Sequence, residues 1–422
     1  MHGVTGLDPQ RFALGTAAPA AAYEPASVDE LAALLRACDA EHEAVVFFGG
    51  GTLQGVGSLP TRYDAAISLA QLREAIAYEP RDLTIAVQAG MRIADLDRLL
   101  ARNGQFVPLD APRPKDGTVG GAIAAGWLGP RRATYGRPRD LVMGTTVVLG
   151  DGTIANAGGM VVKNSTGYDV SKLYAGSLGT LGALVRVNFK VLPAPPGIRM
   201  FRAPLPERTA HRIGTHLATL TIEPTAALVV RGFDAEIDGR SGLDGRIVLL
   251  LEGTSATIDR ATRDLRSELG AAGVPETTIL DAGARDAFGR VIDAYVTTLP
   301  DRSVTVRNAG LPTSALERSE QIAALAAVHR LRAETIADLR TGDVIVRLSS
   351  GDAGRIADEV ATTVHAMRER VGRIAGLAAA PTLARAFDAW GEPPVAIDKM
   401  RAIKARFDPN GILAPGRFVG GI

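Results

Sequence analysis

The chain has 422 residues, 46% of them hydrophobic and 22% charged, which are the proportions of a soluble protein with room for more than one core. Its formal net charge of +1 offers no electrostatic footing for nucleic acid or an anionic membrane. Its single cysteine, Cys38, excludes a disulfide framework, a zinc ribbon or an iron–sulfur cluster ligated within the chain.

No apolar run approaches about 18 residues, so no transmembrane helix is expected, and a reducing, cytoplasmic setting is. The first residues contain Asp8 and Arg11 and lack a continuous apolar stretch, so they do not read as a signal peptide. Residues 1–22 are expected to form a flexible leader, loose or wrapped on the surface.

Ser27 followed by Glu30 is a capping-box pattern, and Leu31, Leu34, Leu35 and Cys38 recur at helical spacing behind it. Cys38 is therefore expected on a buried helix face. Val45–Phe48 reads as a short buried strand, and Leu83–Gly90 as another. A helix follows with Ile93, Leu96, Leu99 and Leu100 on one side and Asn103-Gly104 as its stop. Residues 145–159 read as a hairpin turning at Gly150-Asp151-Gly152, and Ala183–Pro193 as a further strand.

At Pro193–Gly197 the texture changes. Strand-like runs "AALVVRGF", "GRIVLLLEG", "RSVTVRNAG" and "GDVIVRLSSG" alternate with helical stretches near 255–273, 314–329 and 353–371. That order predicts an α+β domain whose sheet is covered on one face. The expected organisation is the leader at 1–22, one domain at 23–195, a second at 196–380, and a C-terminal segment at 381–422 that packs back on the first domain.

The stretch "VVFFGGGTLQGVGS" raises the question of function. Glycine after a strand permits positive φ and lets another group approach the main chain. Successive bare amides form a concave nest for an anion. Two familiar phosphate motifs do not fit. Gly55 and Gly57 begin the G-x-G-x-x-G spacing but Pro60 occupies its last position, and no glycine is followed by the lysine pair of a P-loop. Three more small-residue segments lie nearby, at 108–136, 163–176 and 177–184. Four such segments suit a long ligand gripped by main chain, such as a dinucleotide with a ring at each end.

These segments resemble the flavoproteins with the vanillyl-alcohol-oxidase (p-cresol-methylhydroxylase) type of FAD domain. The resemblance is dense over 25–195 and returns at "KARFDPNGILAPGRF" (404–418), which is similar to that family's closing signature. It implies an α+β fold with a two-subdomain FAD-binding domain, a cap domain with an antiparallel sheet, and a returning C-terminal segment. It assigns Gly49, Gly50, Gly51, Thr52, Leu53, Gln54 and Gly55 to the pyrophosphate loop. It assigns Asp110, Thr118, Val119, Gly120 and Gly121, with Ala124 and Ala125 beyond them, to the ring and ribityl side. The Gly176–Gly182 segment falls near the adenine half, with Ala183 and Leu184 beside it among the cofactor-binding residues, and Tyr135 at the edge of the flavin cavity.

Within the family, "KNSTGYDVSKLYAGSLGTLG" is similar to the FAD-binding E-type subunit of bacterial glycolate oxidase, including Leu178 where much of the family has an acidic residue. The implied activity is oxidation of an alcohol or hydroxy acid by hydride transfer to flavin N5. The implied partners are a second FAD subunit and an iron–sulfur subunit, through which the chain would sit peripherally at the inner membrane.

Several departures qualify this. Covalent members attach flavin to a histidine; here the loop has Thr52 and Gln54, so non-covalent FAD is expected. Phe48 replaces a frequent Arg, and Ala414 replaces the closing Asn. The histidine clusters of related D-2-hydroxy-acid dehydrogenases are missing; His211 and His216, five apart, do not share a helix face, so no metal site is expected. Arg307 and Arg347 end cap strands and are the candidates for gripping a carboxylate substrate, against a bland alternative of ion-paired arginines. Three readings stay open: a flavin subunit of a 2-hydroxy-acid dehydrogenase complex, a stand-alone FAD oxidase or dehydrogenase, and a scaffold subunit in which FAD is only a folding ligand.

Overall fold

The computed structural model describes residues 4–160, 168–205, 217, 222–233, 245–274, 277–296, 302–352 and 354–422. They fall into two compact units. Unit 1 comprises 1–128, 137–194 and 389–422; unit 2 comprises 129–136 and 195–388.

Unit 1 contains two main sheets. In the first, Val45–Phe48 and Ala21–Glu24 both run parallel to Ala65–Ser68, and Thr5–Gly6 pairs antiparallel with Tyr23 and Glu24. The helix Val28–Ala40 covers it. Ser27 caps that helix by accepting from the Glu30 amide at 3.1 Å, while Glu30 accepts from the Ala26 amide at 2.8 Å. The apolar face then buries Leu31, Leu34, Leu35 and Cys38 against Val45 and Ile67. Burial pushes the Cys38 thiol up to about 12, with Glu43 adding to the shift, so this is an inert packing cysteine.

The N-terminal segment is built into this sheet from Val4 onward, which corrects the expectation of a loose leader. Phe12 is buried edge-on against Phe48, with ring centroids 5.0 Å apart, and the Phe12 carbonyl accepts from the Tyr63 hydroxyl at 2.7 Å. The Ala-rich composition concealed two apolar anchors, Phe12 and Leu14, each under 9% exposed.

The second sheet of unit 1 is antiparallel, ordered Ala75–Glu79, Thr84–Gln88, Ala183–Lys190, Val142–Val148, Ile154–Gly158. The hairpin expected at Gly150–Gly152 is present, with Gly152 at φ 78°. The helix Ile93–Ala101 buries Ile93, Leu96 and Leu100.

Unit 2 is an eight-stranded, wholly antiparallel sheet. Its order is Thr278–Leu280, Gly197–Pro204, Arg246–Gly253, Ala226–Arg231, Arg332–Asp338, Asp343–Ser349, Ser303–Ala309, Ile374–Ala379. One face packs Val304, Val306, Val344, Val346 and Leu348 against apolar residues of the helices Ser255–Ala271, Ala315–Val328 and Ile356–Val371. Alternation sends the charged residues of the same strands to the other face.

That second face is held by ion pairs. Arg347 pairs with Glu334, and its guanidinium lies 4.4 Å from the centre of the Phe233 ring. Asp343 receives Arg307 at 2.7 Å and Arg132 at 2.8 Å. Glu252 receives Arg131 at 3.1 Å and the Tyr135 hydroxyl at 3.0 Å. Three of these partners come from 129–136, a short excursion of the first half of the sequence that packs as part of unit 2.

Candidate functional site

Unit 1 contains an open cleft with about 760 Å³ of empty space, walled by residues 47–54, parts of 118–125 and 177–184, and Arg417. The glycine loop enters from the end of the Val45–Phe48 strand. Gly49 and Gly50 are required by their neighbours: a Cβ on Gly49 would strike the Thr118 side chain, and one on Gly50 would overlap the Asp116 carbonyl. Gly51 differs. It has φ 72° with open space where its Cβ would be. The close approach of 116–118 thus turns the loop, and the turn brings its backbone to the cleft.

Thr118 caps the short helix Val119–Ala124, accepting from the Gly121 amide at 3.2 Å. Gly120 lies against Ala89 too tightly for any Cβ. The small residues of this segment therefore make a helix lodged against the Thr84–Gln88 strand region, with Gly120, Gly121, Ala124 and Ala125 left on the cleft wall. On the third side, Leu178 takes φ 54° and its amide donates to the Ala124 carbonyl at 2.8 Å, which seats the 177–184 segment beside the helix.

The C-terminal segment closes the site. Lys404, among the charges Asp398, Lys399 and Arg401 of its helix, turns its partly buried ammonium inward, donating to the Thr180 carbonyl at 2.8 Å and the Leu413 carbonyl at 2.7 Å, and pairing with Asp408. Burial lowers its pKa and Asp408 opposes the shift. The Val45 amide donates to the Ile412 carbonyl and the Ala414 amide to the Val45 carbonyl, each at 2.8 Å. Arg417 then reaches the glycine loop, with Nη1 on the Gln54 side-chain oxygen at 2.6 Å and Nη2 on the Gln54 and Val56 carbonyls at 2.7 and 3.0 Å.

Of the residues singled out in the sequence, Gly49–Gln54, Thr118, Gly120, Gly121, Ala124, Ala125, Gly182 and Leu184 meet on this cleft. Gly55, Asp110, Val119 and Ala183 do not line it. Val119 and Ala183 are fully buried, and the Asp110 carbonyl accepts from the Trp127 indole at 2.6 Å. Tyr135 lies in unit 2, on Glu252. Sequence reasoning missed Phe47, Leu69, Ala89 and Arg417 as lining residues. Only Arg417 carried a usable signal, as the basic end of the closing signature. Arg307 and Arg347 are both ion-paired. His211 and His216 lie outside the described residues; among the described residues no group of three metal-ligating side chains converges.

The cleft suits a dinucleotide: bare main chain at a turn, apolar walls at Phe48, Leu53 and Leu184, and a buried guanidinium. Comparison with known proteins agrees. An FAD binding domain matches over residues 19–158, and the C-terminal domain of FAD linked oxidases over 375–418. Glycolate oxidase subunit GlcD of Bacillus subtilis is 27% identical over 424 residues, covering 94% of this chain and 88% of that protein. Glycolate oxidase subunit GlcE of Escherichia coli is 32% identical over 194 residues, or 46% of this chain and about half (51%) of that one. In fold, 4-ethylphenol oxidase from Gulosibacter chungangensis superposes with a TM-score of 0.71 at 16% identity, covering 95% of this chain and 89% of its own. The chain thus has the fold of these oxidases and is an FAD-dependent oxidoreductase acting on CH–OH donors, with FAD as its cofactor.

Proposed function

We propose that this chain is the flavin subunit of a 2-hydroxy-acid dehydrogenase of the glycolate oxidase type, holding FAD non-covalently in the cleft of unit 1. The observation that carries the reading is the convergence of four glycine-bearing or C-terminal segments, far apart in sequence, on one cleft. In this reading the amides of Gly49–Gln54 face the pyrophosphate, the Thr118–Ala125 segment lies along the ring and ribityl chain, and 177–184 takes the adenine half. Among the described lining residues none is His or Cys, which supports a cofactor held without a covalent bond. When bound, FAD supplies acceptance of the two electrons and hydrogen released at the alcohol carbon of the substrate. The chain's own residues bind, orient and shield the cofactor.

Electrons leave to partner subunits, a second flavoprotein and an iron–sulfur protein. The only cysteine is buried in the Val28–Ala40 helix, so an iron–sulfur centre would be ligated by another chain. The likeness to GlcD over nearly the whole chain favours a second reading, in which this chain itself oxidises the hydroxy acid. Anaerobic spectroscopy of the purified yellow protein decides. Bleaching by glycolate or D-lactate alone supports the second reading. Bleaching that requires the partner subunits supports the first. A colourless protein that takes up no FAD overturns both.

A further inference from the structure

Arg417 lines the cleft with its surroundings unfinished. It is 3% exposed, and its two terminal nitrogens are spent on the neutral oxygens of Gln54 and Val56. Its Nε is buried and has no partner among the described residues. Among the described residues no carboxylate pairs with it. Burial pulls its pKa down to about 10, which still leaves it charged at neutral pH. A buried cation without a counter-ion is strongly disfavoured. Here the missing negative charge adjoins a loop whose bare amides also suit an anion.

We propose that Arg417 is the counter-ion of the cofactor's pyrophosphate, its charge acting across the glycine loop that it holds. Its grip on Gln54 and Val56 also positions the glycine loop, so charge and loop shape are set by one side chain. The oxidised flavin ring is neutral and offers no such charge, which is why the diphosphate is assigned. This inference rests on the reading of the cleft as the FAD site.

The test uses the full-length apoprotein titrated with FAD, ADP and riboflavin, followed by fluorescence, for wild type, Arg417→Met and Arg417→Lys. The Met variant is expected to weaken FAD and ADP by roughly 10- to 100-fold while leaving riboflavin within about two-fold, and Lys is expected to recover part of the loss. Equal losses for FAD and riboflavin would mark a purely structural role and overturn the proposal, as would unchanged FAD affinity. If the Met variant does not fold, wild type decides: FAD binding that inorganic pyrophosphate does not compete for overturns the proposal. Wild type that binds no FAD at all instead overturns the reading of the cleft.

Discussion

The carbonyl oxygen of Asp116 occupies the space where a side chain on Gly50 would begin, and it also accepts from the Arg92 guanidinium. Gly50 is therefore demanded by a neighbouring backbone, which cannot move aside as a flexible side chain can. Gly50→Ala is expected to cost at least ~2 kcal/mol of stability and to spoil the cleft. Chemical denaturation of the apoprotein together with FAD titration checks it. Full stability with normal FAD uptake would contradict the geometry.

Lys404 and Asp408 tie the returning C-terminal segment to the cofactor unit. Asp408 is fully enclosed and also accepts the Ile412 and Leu413 amides at 3.0 and 2.9 Å. Replacing Lys404 by Met leaves that carboxylate buried without a cation, so a loss of about 3–5 kcal/mol is expected. Asp408→Ala is expected to be at least as damaging, because two amides lose their acceptor as well. Thermal unfolding of the two variants ranks them.

In unit 2 the Glu334–Arg347 pair is buried on both sides, and Glu334 also accepts from the Phe233 amide at 3.2 Å. Arg347 and Glu334 each removed alone are expected to destabilise by about 3–5 kcal/mol, while an apolar double replacement costs far less than the sum. A double-mutant cycle in urea measures the difference. Additive losses would show that the pair is not coupled.

Asp338 supplies a pH dependence. One carboxylate oxygen accepts the Arg340 and Thr341 amides at 2.9 and 3.0 Å, and the other is buried without a partner among the described residues. Burial raises its pKa from 3.8 to about 6, against the lowering influence of its hydrogen bonds and of Arg132. The folded chain thus holds this proton more tightly than the unfolded chain does. The stability it contributes is full below about pH 4 and is lost as pH rises to about 6, a change of up to ~3 kcal/mol. Asp338→Asn is expected to flatten the stability profile across that window and to stabilise the protein at pH 7. Denaturation midpoints for both proteins between pH 4 and 7 test the sign.

Much of the site was legible because its signals are local. Three glycines after an apolar strand, the Ser27–Glu30 cap and the Gly150–Gly152 turn each depend on residues a few places apart. Arg417 was not legible as a cleft residue, because it meets Gln54 across 363 positions of chain. Lys404 misled for the same reason: a lysine among other charges reads as solvated until the carbonyls of Thr180 and Leu413 come into view. The strands Gly197–Pro204, Arg332–Asp338 and Ile374–Ala379 were passed over, since arginine, alanine and glycine dilute their apolar alternation. The small residues of the 108–136 segment read as main chain for a ligand to lie against. Their smallness serves helix packing against Ala89 as well.

The excursion at 129–136 bears on how this protein could be cut or recombined. A fragment spanning 195–388 would lack Arg131, Arg132 and Tyr135, stranding the enclosed Glu252 carboxylate and leaving Asp343 with Arg307 alone. A single crossover near 195 with a relative would mismatch the same residues. Inheritable modules here are discontinuous, so a chimaera that exchanges unit 2 must carry eight residues of the upstream gene along with it.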